Sequence, residues 1–303
     1  MPWEWPAGAA CAFFLTLVTT PAGVSGAVLL LPIQVSVLRV AALAATPTNL
    51  LFNVAAVPGG LLRFRHEGRL VNSLTWLLTA GTLPGVIAGA VIRVELLSGG
   101  KAFDFVAAGV LLPLGLWLAL ASQRIPPSSP EPTARTRRMI WVLSLIVGVV
   151  GGIYGIGGGS LLAPILMAAG FSAYEVAPAT LVATFLTSIA GIITYQALQL
   201  THGGAIAPDW GLGAFMGAGG FAGSYLGARL QSRLPERSLR KLLGAIACLV
   251  AMRYIQLGAS AEHHARSETR SAIRPAHANA GLACWVVTAP FRLPRLSFAG
   301  AGD

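Results

Sequence analysis

Long apolar runs separated by short polar or basic segments set the pattern of this chain. A helix rising 1.5 Å per residue needs about 20 apolar residues to cross a hydrocarbon core. Windows of that length predict spans near 8–31, 41–62, 70–92 and 103–122. A polar, Pro-rich linker follows at 123–138 (QRIPPSSPEPTARTRR), and further spans are predicted near 139–169, 174–198, 212–230 and 239–257. The expected fold is therefore all-α, a polytopic membrane protein of about eight transmembrane helices. The remainder, 258–303, has one apolar patch, 282–291, which is too short to span. It is expected to be a poorly ordered polar tail with no part in transport.

The two groups of spans, 8–122 and 139–257, look like copies. A shift of 132 residues lays Gly23 on Gly155, Gly26 on Gly158, Pro32 on Pro164, Ala45 on Ala177 and Thr48 on Thr180. After a short extra loop, GVIAGAVI from Gly85 matches GSYLGARL from Gly223. An even number of spans per copy predicts parallel four-helix repeats related by an axis along the membrane normal.

The first span of the second copy contains GVVGGIYGIGGGSLLAPIL at 148–166. Each glycine costs about 1 kcal/mol relative to Ala inside a helix, so a regular lipid-facing helix gains nothing from such a run. Two explanations stand. Small residues let helices approach closely. Alternatively, the run breaks the helix within the bilayer, where free backbone N–H groups at a half-helix start form an anion site. The second explanation predicts broken first helices in both copies, at Gly23 to Gly26 and at Gly155 to Ser160.

Composition supports the membrane assignment: 55% hydrophobic and 11% charged residues, against about 25% charged in a soluble domain, with a mean hydropathy of +0.70. The formal charge of +10 lies between apolar runs and in the tail. It therefore points to membrane topology and anionic lipid, with the lipid bilayer as partner and no nucleic acid. The start, MPWEWP, lacks a positive n-region and is read as leading into a retained span. Arg63, Arg65 and Arg69 follow span two, and Arg124, Arg135, Arg137 and Arg138 follow span four. In a simple eight-pass arrangement, Arg229, Arg233, Arg237, Arg240 and Lys241 fall on the opposite face. The two faces nearly balance, and the basic tail tips the expectation towards cytoplasmic termini.

Enzyme chemistry finds no residue set. Gly23-Val24-Ser25-Gly26 has the GxSG form of an intramembrane serine protease, but no membrane-embedded His accompanies it. Gly155-Ile156-Gly157 lacks the Lys-Ser/Thr pair of a phosphate loop. Cys11, Cys248 and Cys284 show no disulfide or metal spacing. No metal, cofactor or catalytic residue is expected. The acidic residues lie near span ends, in loops or in the tail; Glu175 at the mouth of span six is the nearest candidate for ion coupling, and an ordinary first-turn acid is the favoured reading of it. What remains inside is neutral and polar: Thr48, Asn49 and Asn53 on span two, and Thr180, Thr184, Thr187 and Ser188 on span six. These either bond helices together or line a path for an anion's oxygens.

On these residues the chain resembles the sulfite exporter TauE/SafE family, also described as the toluene-sulfonate uptake permease family. The resemblance covers roughly residues 10–256. It rests most on GIYGIGGGSLLAPIL at 152–166, ending in Pro164-Ile165-Leu166, and more weakly on ATPTNL at 45–50, APATL at 177–181 and RFRHEGRL at 63–70. Two departures stand out: the first copy's glycine run is reduced to Ala22-Gly23-Val24-Ser25-Gly26, and Leu181 follows Thr180.

The resemblance implies an eight-span protein of the bacterial inner membrane that moves small sulfur-containing anions such as sulfite, sulfonates or sulfoacetate without ATP. The expected substrate-binding residues are Gly23, Ser25, Gly26, Thr48, Asn49, Gly155, Gly157, Gly158, Gly159, Ser160, Pro164, Thr180 and Thr184. Replacing Gly157 or Gly158 by Val is expected to abolish transport with folding largely intact. The pattern is compatible with a homo-oligomer. The alternative is a non-transporting scaffold or accessory subunit whose glycines serve packing alone.

Overall fold

The computed structural model describes residues 3–38, 40–97, 133–202, 206–235 and 238. Among them the regular elements are all helical: α1 (Glu4–Thr19), continued by a 3-10 turn (Thr20–Ala22), α2 (Ala27–Ser36), α3 (Ala42–His66), α4 (Ser73–Glu95), α5 (Ala134–Tyr154), α6 (Leu162–Ala168), α7 (Ala173–His202) and α8 (Trp210–Gln231). Four stretches are long and apolar enough to cross a membrane: Glu4–Ala22, α4, α5 and α7. The predicted spans at 103–122 and 239–257, most of the linker and the tail lie outside the described residues.

Local sequence explains where the helices begin and stop. Asn72 caps α4 with a reciprocal box: its Oδ1 accepts from the Thr75 amide at 2.9 Å, and its own amide donates to Thr75 Oγ1 at 3.2 Å. Asp209 caps α8 by accepting from the Leu212 amide at 2.9 Å. Both predicted breaks are present. The turn after α1 ends on Gly23 at φ 73°, and α5 ends on Gly155 at φ 67°. That left-handed conformation is strained for any residue with a Cβ.

Beyond each break the chain reverses. After Gly23, α2 runs back beside α1, so that Gly26 packs on Thr16 and Gly8 faces Leu38. After Gly155, Gly157 and Gly158 fold onto Gly151. α6 then returns towards the end of the bundle where α7 starts. The first predicted span of each copy is thus a helical hairpin in this fold. A single interrupted crossing does not describe it.

This reversal overturns the expected parallel arrangement. On α8, Gly219, Gly223 and Gly227 face the carbonyls of Ala9, Phe13 and Leu17 in turn, and Gly213 and Gly217 face Leu51 and Ala55. Helices α1, α3 and α8 therefore run the same way. On α4, Gly81, Gly85 and Gly89 face the carbonyls of Trp141, Leu145 and Val149, so α4 and α5 run together. Asn72 Nδ2 donates to the Glu175 carbonyl at 3.2 Å, and Gly191 faces Val86, which aligns α7 with α4. Between the sets the sense is opposite, since α7 begins beside Arg69, just after α3 ends, and brings Gly191 to Leu50 near the start of α3. Counting each hairpin as one crossing produced the wrong parity.

The same geometry regroups the charges. Arg63, Arg65 and Arg69 close α3, Arg135, Arg137 and Arg138 open α5, and Arg229 and Arg233 close α8, all at one end of the bundle. Arg69 joins two of these groups directly: its Nη1 donates to Gln231 Oε1 at 3.3 Å. It also pairs with Glu67 and lies over the rings of Phe64 and Tyr174. At the other end are Glu4, Asp209 and a contact between His202 and Glu95 at 2.8 Å, with Arg93 buried at the end of α4. The loops after spans two and seven share a face, contrary to expectation.

Candidate functional site

The two breaks meet in the middle of the bundle, and neutral side chains pin them together. Ser160 is saturated there. Its hydroxyl donates to the Ile156 carbonyl at 3.0 Å, and its oxygen takes the Ser25 amide at 3.3 Å and the Thr184 hydroxyl at 3.2 Å. Thr180 Oγ1 donates to the Gly23 carbonyl at 2.9 Å, and Thr187 Oγ1 accepts from the Gly158 amide at 3.1 Å. One face of α7, carrying Thr180, Thr184 and Thr187 at helical spacing, therefore holds both breaks.

On the other side, α3 holds α2. Asn49 Nδ2 donates to the Ala27 carbonyl at 3.0 Å, Gln34 Nε2 donates to Asn49 Oδ1 at 3.1 Å, and Ser25 Oγ donates to Asn53 Oδ1. Ser25, Gln34, Asn49 and Asn53 are all buried. Several polar atoms at this meeting point lack a partner. They include Asn53 Nδ2, Gln34 Oε1 and Ser188 Oγ, and the Ser188 oxygen lies against Gly157. The described residues also supply no acceptor for the amides of Gly26, Gly157 and Gly159.

The residues singled out from sequence separate accordingly. Ser25, Ser160, Thr184 and the Gly157 to Gly159 segment come together, with Gly26 and Asn49 beside them at the start of α2. Gly23 and Gly155 make the turns, and their amides are spent within them, on Thr20 and Gly151. Pro164 is buried within α6. Thr48 points elsewhere, accepting from the Asp209 amide at 2.9 Å at the start of α8.

Gln34 was not among the expected site residues. Its position lies past the predicted end of span one, and only the hairpin returns it to Asn49. Among the described residues no group of His, Cys, Asp or Glu has metal-site geometry.

The glycines of the second break are also packing residues. A Cβ on Gly157 would come 2.6 Å from Thr184 Cγ2, and one on Gly158 would come 2.5 Å from Thr82 Cβ. Valine at either position has no room, so loss of folding is the expected result, against the expectation from sequence. The glycine run therefore both breaks the helix and lets its neighbours approach closely.

A family model described as Sulfite exporter TauE/SafE matches residues 8–254. No curated protein and no solved structure matches the chain.

Proposed function

We propose, because this chain belongs to the sulfite exporter TauE/SafE family of membrane transporters, that it is a secondary transporter of small sulfur-containing anions in a bacterial inner membrane. Residues 8–122 and 139–257 form its two copies, now read as inverted. The paired turns at Gly23 and Gly155, and the matched glycine rows of α4 and α8, support that relation. The anion binds where the breaks meet, at the amides of Gly26, Gly157 and Gly159, with Ser25, Asn49, Ser160 and Thr184 holding the breaks in place. The carrying observation is the Asn53 Nδ2 donor, buried and unpaired beside a helix start.

The basic end of the bundle faces the cytoplasm by the positive-inside rule, which places the start of α1 on the far side. No nucleotide motif is present, so a gradient drives flux. An inside-negative potential is worth about 2.3 kcal/mol per charge per 100 mV, and it favours export of an anion.

Counterflow tests this. Full-length protein in liposomes loaded with unlabelled sulfite accumulates labelled sulfite. Thr184→Val, which keeps the shape but removes one of the bonds pinning the breaks, slows exchange. The accessory-subunit reading draws on the same crowded glycines and is the correct one if the wild-type protein exchanges neither sulfite nor a sulfonate.

A further inference from the structure

A carboxylate lies where the fold does not favour one. Glu67 is the residue that ends α3, and the C-terminal end of a helix disfavours negative charge. Two guanidinium groups hold it there. Arg63 Nη2 lies 3.0 Å from Glu67 Oε1, and Arg69 Nη2 donates to Glu67 Oε2. All three side chains are partly exposed, so the trio borders solvent at the basic end of the bundle.

The cations are placed without help from Glu67. Arg69 lies over the rings of Phe64 and Tyr174, 5.3 and 5.4 Å from their centroids, and its Nη1 donates to Gln231 Oε1. Arg63 belongs to the last turn of α3. The carboxylate fits its partners less completely. Its Oε1 meets Arg63 as an ion pair without hydrogen-bond alignment, and Arg63 Nε, shielded from solvent, has no acceptor among the described residues. The next residue, Gly68, turns at φ +69° with open space where a Cβ would stand. The Glu67 side chain can therefore swing outward while both cations stay.

The trio also adjoins the first break. Gln231, which receives Arg69, donates through Nε2 to the Pro21 carbonyl at 2.9 Å, two residues before the turn at Gly23.

We propose that Arg63 and Arg69 form an entry site for the transported oxyanion, and that the Glu67 carboxylate occupies this site at rest. This rests on the transport reading above and adds an outer site to it. A carboxylate shares with sulfite and with a sulfonate two oxygens on one central atom, the shape that a guanidinium fork matches. Sulfite and sulfonates bring a third oxygen, and Arg63 Nε is an unused donor. As the anion arrives, Glu67 turns to solvent; as the anion moves on, the carboxylate returns. This competition keeps the outer site weak, so that two permanent cations do not trap the anion. With the basic end in the cytoplasm, this is the side from which an exporter loads.

The test follows counterflow by full-length protein in liposomes against the concentration of labelled sulfite, or of methanesulfonate where that is the anion carried. Ionic strength and pH are held constant. Glu67→Gln keeps the shape and removes the competing charge; it is expected to lower the half-saturating concentration about threefold to tenfold. Arg63→Gln is expected to raise it by about as much. A clasp that merely closes the end of α3 predicts no gain of affinity on losing Glu67. Melting temperature checks folding, and Glu67→Ala repeats the first arm should the glutamine variant not fold.

Half-saturation that is unchanged or raised in a folded Glu67 variant, or not raised in folded Arg63→Gln, overturns the inference and leaves sulfur-anion transport standing. No exchange of either anion by the wild-type protein overturns both readings.

Discussion

Two glycines with almost the same backbone but opposite surroundings measure how tightly the second break is held. Gly68 has φ +69° and open space where a Cβ would go. Gly155 has φ +67°, and there a Cβ would overlap the Thr46 carbonyl and lie 3.0 Å from Thr46 Cα. Alanine at Gly68 carries only the left-handed cost, about 1–2 kcal/mol. At Gly155 the same cost adds to the displacement of α3 backbone, about 1–3 kcal/mol more for an overpacked site.

At about 2–4 °C per kcal/mol for a chain of this size, Gly68→Ala is expected to lower the melting temperature by a few degrees. Gly155→Ala should lower it by about twice that or more, or abolish the folded protein. Melting of the detergent-solubilised variants, followed by size-exclusion recovery, reads both. If the two variants melt together, α5 does not close against α3 as described, and the packing account of the break fails.

Gln231 ties three elements: its Nε2 donates to the carbonyls of Pro21 at 2.9 Å and Ala173 at 3.2 Å, while Oε1 receives Arg69. Gln231→Met keeps the volume and removes the donor to the buried Pro21 carbonyl along with the bond to Ala173, a loss of about 1–2 kcal/mol; the partly exposed Arg69 adds little. The measurement is again thermal melting, and an unchanged midpoint contradicts the role given to Gln231. For orientation, single cysteines at Gly68 and Trp3 in a Cys-free background are expected to label from opposite sides of intact cells. A membrane-impermeant thiol reagent should reach position 3 but not position 68.

Much of this was legible from sequence because it depends on local chemistry. Apolar length marks helices, and Gly23 and Gly155 mark turns that other residues enter only with strain. The polar faces of α3 and α7 follow from helical spacing. What could not be read was the direction of the chain after each turn. Whether α2 continues or doubles back depends on Gly26 finding Thr16 and Gly8 finding Leu38, contacts that no periodicity encodes. From that one uncertainty came the expectation that α4 and α8 run the same way, the wrong faces for the arginine clusters, and the omission of Gln34.

The opposed running of α4 and α8 has a consequence for the working cycle. In a carrier assembled from head-to-tail halves, a shape open to one compartment has a twin open to the other, reached by exchanging the roles of the halves. Chemically the twins are unequal. The alignment that lays Gly85 on Gly223 also lays Arg93 on Gln231, and both side chains are buried. Arg93 carries its own charge into one end of the bundle, whereas at the other end Gln231 receives a charge from Arg69. For the proposed carrier, that exchange of side chains would make inward and outward access chemically unequal.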